Sequence, residues 1–509
     1  MKIKSVKLRN FRSYKEEIKV DIGNLTAFVG KNDIGKSSIL EAFDIFFNEN
    51  KGVIKIDKDD INKSSLAEDD NEIIITVEFE ELPNSIVIDS TNETTLQNEH
   101  LLNQDGNLEI LKKYSNAGKE KVFVKAFHPN NPECRDLLKK TNTELRAIIS
   151  NKNIECENRT INAVMRAAIW NHYHDSLQLE NIEIDVTKGD TKSIYDKLQE
   201  YLPLYSLFQS DRKNSDGDSE VQDPLQEAVK QILNNAELKI LLSRVATEVE
   251  TKLREVACST LEKLNELNPD IANSLNPIIP TSENLKWLDV FKKVSIAGDE
   301  DIPINKRGSG IKRLILLSFF RAEAERRITE RSSPSIVYAI EEPETSQHTE
   351  HQKKLISALL ILSQAANTQI LLTTHSGVAV KELNFEHIRL IAQTGANKTV
   401  EEVIPNQLPY PSLNEVNFLA FNEVSEEYHN ELYGFIEAEG WLNPYKTGKP
   451  TMSYNKNFRD GGTRVEQIIL TEYIRHQIHH PENPNNIRFT NDQLSESINL
   501  MRDFIEAQP

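Results

Sequence analysis

A glycine-rich segment near the N-terminus has the residue types and the spacing of a phosphate-binding loop. Residues 30–38, GKNDIGKSS, match the pattern G-x-x-x-x-G-K-[ST]. Gly30 and Gly35 allow the backbone to wrap around a phosphate, which the N–H groups at the start of the next helix bind. Lys36 is expected to reach the β- and γ-phosphates of a nucleotide, and the Ser37 hydroxyl to ligate Mg²⁺. The candidate nucleotide-binding residues of this segment are Gly30, Asn32, Gly35, Lys36, Ser37 and Ser38.

Two adjacent carboxylates follow an apolar segment in the second half of the chain. The residues SIVYAI, 335–340, lead directly into Glu341 and Glu342. A buried strand of this sequence carries both carboxylates to its end, where one can hold Mg²⁺ and the other can orient an attacking water. We assign Glu341 to the metal and Glu342 to general-base catalysis.

Two further segments contain candidates for contact with a γ-phosphate. His375 ends the apolar segment ILLTTHS, which places its imidazole at the end of a predicted strand. The segment KRGSGIKRL, 306–314, puts Ser309 and Gly310 at the start of a predicted long helix, a second anion-binding helix N-terminus. One subunit does not need two such sites for one γ-phosphate. Ser309 and Gly310 therefore predict a second subunit that faces the first.

Strand and helix patterns alternate along the part of the chain that carries these candidates. Strand patterns are KIKSVKLRNF, LTAFVG, IIITVEFEEL, VSIAG, SIVYAIEEPE, TQILLTTHS and HIRLIAQT, and helical patterns are SSILEAFDIFF, GIKRLILLSFFRAEAERR and TEHQKKLISALLILSQAA. Helical patterns dominate residues 130–290, and the strand pattern disappears after about 405. We predict an α/β head with a phosphate loop, a helical insertion and an all-α C-terminal domain. The expected boundaries are 1–130 for the N-terminal lobe, 131–290 for the insertion, 291–404 for the C-terminal lobe and 405–509 for the last domain.

Length, charge and cysteine content limit the class of protein. A chain of 509 residues is too long for one compact core. The net charge of −19 means that any nucleic-acid contact needs a local basic patch, because Lys and Arg must neutralise phosphates. No apolar run approaches the ~20 residues that span a bilayer, and MKIKSVKLRNF has no signal-peptide core. Three widely separated cysteines without a C-x-x-C pair favour a reducing cytoplasm.

The motifs NFRSY (10–14), GKNDIGKSS, RGSG, IEEPE and TTHS, in this order and spacing, resemble those of the ABC-type ATPases of the RecF, SMC and OLD group. The acidic IEEPE, with His348 four residues after Glu344, looks most like the OLD branch. The resemblance covers about residues 1–400. It implies ATP and Mg²⁺ as cofactors, and a head-to-head dimer with ATP between the phosphate loop of one subunit and Ser309–Gly310 of the other. It also implies that Asn10 and Arg12 lie near the nucleotide.

The chain departs from that group in three respects. We locate no Q-loop glutamine, no cysteine hook of the zinc-binding kind, and no strand pattern after 405 of the kind that a Toprim nuclease requires. Long-range DNA bridging and a Toprim effector are therefore not expected.

A cationic motif lies near the C-terminus, in the segment YIRHQIHHPEN. Arg475 and His480 resemble the R-[NDH]-x(3–5)-H motif of HEPN ribonucleases, which cut RNA without metal. By that resemblance His480 acts as general acid or base and Arg475 holds the scissile phosphate. We expect a helix from about Thr463, on which Arg475 shares a face with His479 rather than His480. The sequence leaves open which of the two histidines is the active one. The alternative is that the segment is an ordinary helix C-terminus, where the helix macrodipole favours cationic side chains.

We therefore expect an ATPase of bacterial antiphage defence that forms a dimer or a larger oligomer and controls a nuclease. The nuclease is either its own HEPN-like C-terminal domain, which would bind RNA such as tRNA, or DNA, through a basic patch, or a separate subunit. The second arrangement resembles the ATPase subunits of Septu-type or retron-associated systems. A DNA-repair ATPase of the RecF type is a third reading, which the acidity and the extra domain disfavour.

Overall fold

A computed structural model of the chain describes residues 1–49, 52–88, 93–187, 191–209, 229, 232–267, 335–345, 348–394, 397–403, 408, 412–457 and 462–508. The predicted strand VSIAG and the predicted helix that begins at Ser309 and Gly310 lie outside the described residues.

Strands and helices are named in chain order. The strands are β1 (Lys2–Arg9), β2 (Ile18–Asp21), β3 (Leu25–Val29), β4 (Glu72–Glu80), β5 (Leu108–Ser115), β6 (Lys121–Pro129), β7 (Leu179–Asp185), β8 (Leu204–Phe208), β9 (Ile336–Glu341), β10 (Thr368–Thr374), β11 (Ile388–Thr394), β12 (Asn397–Glu402), β13 (Thr451–Asn457) and β14 (Thr463–Ile469). The α-helices are α1 (Lys36–Asn48), α2 (Lys63–Ala67), α3 (Asn142–Asn151), α4 (Asn162–His172), α5 (Thr191–Gln199), α6 (Ala236–Leu267), α7 (Thr349–Ser363), α8 (Gly377–Lys381), α9 (Leu413–Phe421), α10 (Glu426–Ala438), α11 (Leu442–Lys446), α12 (Leu470–His479) and α13 (Asn491–Glu506).

In the described part of the chain, two six-stranded sheets form the head. The first is antiparallel throughout, in the order β2-β1-β4-β5-β6-β7. The second has the order β12-β11-β3-β10-β9-β8, in which β8, β9, β10, β3 and β11 run parallel and β12 is antiparallel at the edge. Because parallel strands end at the same edge of a sheet, the segments after β3, β8, β9 and β10 meet there.

The parallel sheet is buried on both faces, which explains its continuous apolar strands. Every residue of β3 and of β10 is buried. In β9, Val337 and Ala339 join the core shared with α1 and the antiparallel sheet, whereas Tyr338 and Ile340 join the core shared with α7 and α8. Helix α1 therefore lies between the two sheets, and the phosphate loop is fixed at its start.

The first part of the range 131–290 contains strands as well as helices, which the sequence patterns do not predict. Helices α3, α4 and α5 lie there, but β7 completes the antiparallel sheet and β8 completes the parallel sheet. The pattern of β7 is weak because it is an edge strand with mostly polar, solvent-facing residues, LENIEID. Helix α6 is long and is the element that best fits the predicted insertion.

The C-terminal region is helical, as predicted, but it also contains a hairpin of β13 and β14. The expected helix start near Thr463 is wrong, because Thr463–Ile469 forms β14 and α12 begins at Leu470. The segment TRVEQII has a spacing that fits a strand as well as a helix, and its pairing with β13 decides in favour of the strand. Helices α10, α12 and α13 enclose a core of their own, which contains Tyr428, Ile474 and Met501.

Candidate active site

The phosphate loop connects β3 to α1 and is shaped by its two glycines. Gly30 and Gly35 have positive φ angles of 152° and 110°. A Cβ atom on Gly35 would lie 2.6 Å from Ser13 Oγ and 3.1 Å from the Tyr14 hydroxyl, so only glycine fits there. The Lys36 ammonium is buried and donates to the carbonyl oxygens of Gly30, at 3.0 Å, and Lys31, at 2.9 Å.

Burial lowers the pKa of Lys36, and the charges of Glu342 and Glu344 oppose that shift. The ammonium thus lies inside the loop, held by carbonyl groups, close to the carboxylates at the end of β9. This is the position from which a lysine reaches the phosphates of a bound nucleotide.

The N-terminal segment 10–14 supports the loop from outside. The Tyr14 hydroxyl donates to Gly35 O at 3.0 Å. Arg12 pairs with Asp60, at 2.7 Å, and with Glu41 of α1. Arg12 therefore lies close to α1, one turn beyond the phosphate loop, while its guanidinium is held by two carboxylates.

Asn10, in the same segment, faces the neighbouring loop. It is fully buried, and its amide donates to the backbone carbonyls of Asp70 and Glu72 and accepts from the N–H of Asn62. Asn10 holds the neighbouring loop together. Asn32, in contrast, is exposed in the phosphate loop.

Glu341 contacts the phosphate loop directly. Ser37 and Gln209 lie close enough to its carboxylate to favour the charged form, but burial raises the pKa of Glu341 despite them. A serine hydroxyl beside a carboxylate is an all-oxygen donor pair, which Mg²⁺ prefers. Ser37 and Glu341 therefore fit the ligand roles that the sequence predicts.

Gln209 is a residue that the sequence reasoning missed. It directly follows β8, beside β9, and its Nε2 also donates to Glu41 Oε1 at 3.2 Å. Its buried Oε1 has no hydrogen-bond partner among the described residues. The signal was a glutamine at the end of the short apolar segment LYSLF.

Glu342 adopts a left-handed backbone conformation directly after β9, with φ of 41°. Its N–H lies 3.1 Å from both the carbonyl oxygen and the hydroxyl oxygen of Thr373 in β10. Its Oε1 lies 3.3 Å from His375 Nδ1. Non-glycine residues with positive φ are uncommon, and the hydrogen bonds to β10 hold this one in place.

Glu344 is a buried carboxylate to which the sequence reasoning gave no role. Its side chain is 2% exposed. Its Oε1 accepts from the Thr374 hydroxyl at 2.6 Å and from the His375 N–H at 3.0 Å, and lies 3.6 Å from His375 Nδ1. Burial raises the pKa of Glu344. Glu344 thus binds the backbone N–H of His375, and the imidazole ring of His375 faces the carboxylates of Glu342 and Glu344.

Arg475 and His480 lie on different sides of α12. The Arg475 guanidinium stacks over the Tyr433 ring, 3.9 Å from its centroid, and pairs with Glu437 at 3.2 Å, both on α10. His480 ends the helix, is exposed, and lies 3.3 Å from Glu482. His476, one turn before His480, stacks on Tyr454 of the hairpin.

His479 shares the side of α12 that carries Arg475. The charges of Arg475 and His479 both act on the buried His429 of α10, whose pKa falls to about 3, mainly through burial. His429 Nε2 lies 3.0 Å from the Ser497 hydroxyl. Arg475 and His479 therefore share one side of α12, whereas His480 follows the last helical residue.

Of the predicted site residues, the structure places Lys36, Ser37, Glu341, Glu342 and His375 at one edge of the parallel sheet. Ser38 is buried in α1, directly after Ser37. Ser309 and Gly310 lie outside the described residues. No helix in the described part of the chain is long and apolar enough to cross a membrane.

Comparisons with known proteins agree with this geometry. The model of the AAA ATPase domain family matches residues 1–379. No curated protein matches the chain.

Solved structures that match the chain include heads of SMC proteins. An SMC head bound to the C-terminal winged-helix domain of ScpA has 13% identity and a TM-score of 0.34, over 79% of this chain and 98% of that one. The SMC head domain from Thermotoga maritima has 12% identity and a TM-score of 0.32, over 80% and 100%. An SMC head with an extended coiled coil, bound to a ScpA domain and derived from Pyrococcus furiosus, has 13% identity and a TM-score of 0.33, over 79% and 96%.

The predicted phosphate-loop ATPase is therefore confirmed at the level of the family. The match spans the phosphate loop, the carboxylates after β9 and His375 after β10. This chain belongs to the AAA ATPase domain family and is an ATPase.

Proposed function

We propose that the edge of the parallel sheet hydrolyses ATP with Mg²⁺, and that the nucleotide state controls a nuclease effector of bacterial antiphage defence. The observation that carries the proposal is the joint placement of the Lys36 ammonium, the Ser37–Glu341 pair and the Glu342–His375 pair at the ends of neighbouring strands.

Each group has a distinct task in this proposal. Lys36 binds the β- and γ-phosphates, and Ser37 and Glu341 hold Mg²⁺, which neutralises phosphate charge when bound. Glu342 accepts the proton of the attacking water, and the backbone bonds to Thr373 fix the carboxylate for that step. His375 contacts the γ-phosphate from the adjacent strand, and Gln209 orients Glu341.

A second copy of the chain completes the site. Ser309 and Gly310 of that copy bind the γ-phosphate, so that two ATP molecules lie between two heads. The dimer is then favoured by ATP and released after hydrolysis.

Helix α9 is the connection through which the heads act on the C-terminal domain. The Asn417 amide donates to Gly377 O, two residues after His375, at 3.1 Å. Val416 and Ala420 lie in the core of the head, whereas Phe418 lies in the C-terminal core. A change around His375 therefore reaches α9 through a direct contact.

The arrangement of α12 favours a separate nuclease as the controlled effector. Arg475 is stacked and ion-paired on α10, and His480 follows the last residue of the helix, next to Glu482. A second candidate function is cleavage of RNA by the C-terminal domain itself. It is supported by one observation, the shared face of Arg475 and His479 next to His429.

The ATPase proposal is tested by steady-state hydrolysis and nucleotide binding. We expect Lys36→Ala to lose ATP binding, and Glu342→Gln to bind ATP with turnover reduced by about 100-fold or more. Glu350→Gln is the matched control, because Glu350 is an exposed carboxylate on α7 that pairs only with Lys354 in the described structure. Near-normal turnover by Glu342→Gln contradicts the assignment of the base.

The two effectors are distinguished by RNA cleavage with the purified chain. If the C-terminal domain cuts RNA, Arg475→Ala and His479→Ala abolish cleavage while ATP hydrolysis persists, and His480→Ala has little effect. If a separate nuclease is the effector, the purified chain leaves RNA intact and restrains or activates the nuclease only when both are combined.

A further inference from the structure

The hairpin of the C-terminal region has one covered edge and one open edge. An asparagine-rich segment covers the outer edge of β13. Asn486 accepts from Asn455 N at 2.7 Å, and the amides of Asn483 and Asn486 donate to Asn455 O at 2.8 and 3.0 Å. In the described structure β14 pairs only with β13, and residues 463–467 make no backbone hydrogen bond outside that ladder.

The open edge is a surface on which another strand can add. Unpaired N–H and C=O groups along an edge strand are a template for pairing with another chain, and a two-stranded sheet alone is only marginally stable in water. Val465 in the middle of β14 is 58% exposed. Tyr454, Ile468 and Tyr473 form a small core on the opposite face of the hairpin. The hairpin is therefore packed on the face that carries Tyr454 and Ile468, whereas the edge of β14 at Val465 has no neighbouring strand in the described structure.

The charges of β14 indicate what pairs with it. Arg464 and Glu466 flank Val465 symmetrically and point to the same face of the hairpin. We propose that β14 pairs with β14 of a second copy of this chain, antiparallel, about a two-fold axis at Val465. Arg464 then lies opposite the partner's Glu466, and the same pair occurs again across the axis. Thr463 lies opposite the partner's Gln467, and Val465 lies opposite its own counterpart.

The neighbouring two-fold registers are disfavoured by charge. Moving the axis by one residue places Arg464 opposite Arg464 or Glu466 opposite Glu466, and like charges directly opposite each other destabilise a strand pair. Lys456 of β13 lies 3.4 Å from Glu466 on the same face. In the proposed register Glu466 has one cation on each side. The pairing gives a continuous four-stranded sheet. An edge strand with charges of a single sign would repel its own copy and would not pair in this way.

This interface uses no nucleotide and no residue of the phosphate loop, so it goes beyond the proposed function. Its failure can be told apart from failure of the ATPase proposal by testing it in Lys36→Ala, which we expect to lose ATP binding. The hairpin pairing is expected to persist in that variant.

Disulfide cross-linking tests the register. Directly opposite residues of antiparallel strands have Cα atoms about 4.5 to 5.5 Å apart, within the range of a disulfide. Val465→Cys in the full chain should form a covalent dimer under mild oxidation, with and without ATP. Thr463→Cys is the matched control, because the two copies of residue 463 are then about 13 Å apart along the strands. The wild-type chain, with its three native cysteines, sets the background.

A charge reversal tests the partner independently. Arg464→Glu and Glu466→Arg should each weaken self-association in Lys36→Ala by about tenfold, because each places like charges opposite each other in both symmetry-related pairs. The double variant, Arg464→Glu with Glu466→Arg, should restore it. Sedimentation velocity gives the dissociation constants. Cross-linking of Thr463→Cys but not Val465→Cys, or a double variant as weak as the single ones, overturns the proposal, as does a monomeric Lys36→Ala protein.

Discussion

At the scale of single residues, His375 has closely defined surroundings. Its N–H is bonded to the buried Glu344, and its ring nitrogen lies between Glu342 and Glu344. A histidine that must contact a phosphate needs a fixed ring, because an error of a fraction of an ångström removes the contact. We infer that Glu344 is a positioning residue for His375.

Glu344→Ala should reduce kcat for ATP hydrolysis by about tenfold or more and change KM little, since it removes the acceptor for the Thr374 hydroxyl and the His375 N–H. The unpaired donors should also cost about 1–3 kcal/mol of stability. Glu344→Gln keeps an acceptor oxygen and should recover most of the turnover. Steady-state kinetics and chemical denaturation check both effects. Equal activity of Glu344→Ala and the wild type contradicts the positioning role.

The buried His429 should make the free energy of unfolding depend on pH. Its pKa is lowered to about 3 in the fold, so between that value and the ordinary histidine pKa the unfolded chain binds more protons. The contribution of His429 is therefore complete above about pH 6.5 and is lost as the pH falls, by up to about 1.4 kcal/mol per pH unit. Urea denaturation from pH 7 to pH 5 should show a smaller loss for His429→Gln than for the wild type. Equal losses in the two proteins contradict the role of His429.

At the scale of elements, the phosphate loop depends on a contact that is distant in the sequence. Segment 10–14 packs on Gly35, and the carbonyl of Asp33 accepts from Lys398 of β12 at 3.2 Å. The loop is therefore held on two sides before any nucleotide binds. Such preorganisation lowers the entropy cost of binding phosphate.

Gly35→Ala should weaken ATP binding by at least tenfold, because the Cβ atom meets Ser13 and Tyr14 and the φ angle suits glycine. Gly440→Ala is the control. Gly440 also has positive φ, 73°, but a Cβ atom there meets nothing within 4 Å. That variant should lose only about 1 kcal/mol of stability and bind ATP normally. Calorimetric titration compares the two, and equal affinities contradict a tight contact at Gly35.

The sequence was sufficient for the elements with strong local patterns. β3, α1, β9 and β10 follow from their apolar periodicity, and the carboxyl edge of a parallel sheet then brings Lys36, Glu341 and His375 together. Gln209 could not be found, because its role depends on β8 lying beside β9 after a long connection. The start of α12 was misjudged because the pairing of β14 with β13 is a tertiary contact. The roles assigned to the site residues stay predictions.

At the scale of the whole molecule, α9 belongs to two cores and couples them. Because Val416 and Phe418 point into different cores, α9 cannot shift in one without disturbing the other. Close-packed interiors transmit such shifts instead of absorbing them. The heads and the C-terminal region are therefore expected to respond jointly to nucleotide.

Hydrogen exchange should report this coupling. In Glu342→Gln, saturating ATP with Mg²⁺ should slow exchange in Glu426–Ala438 and Asn491–Glu506 as well as in the phosphate loop. Asn417→Ala removes the bond to Gly377 and should reduce the effect in the two C-terminal helices while the effect at the phosphate loop remains. Unchanged exchange in both helices upon ATP binding contradicts the coupling.

The pairing of β3 also determines when, during synthesis, the phosphate loop can first be supported by its complete sheet. β3 is bonded on both sides by β10 and β11, more than 300 residues later in the chain. During synthesis the ribosome makes the phosphate-loop residues early, but their supporting strands emerge only after most of the polypeptide. At about 5–20 residues per second, this delay is roughly 20–70 seconds. An unfinished chain thus lacks a complete sheet around its phosphate loop, so the loop gains its full support only after β10 and β11 have emerged.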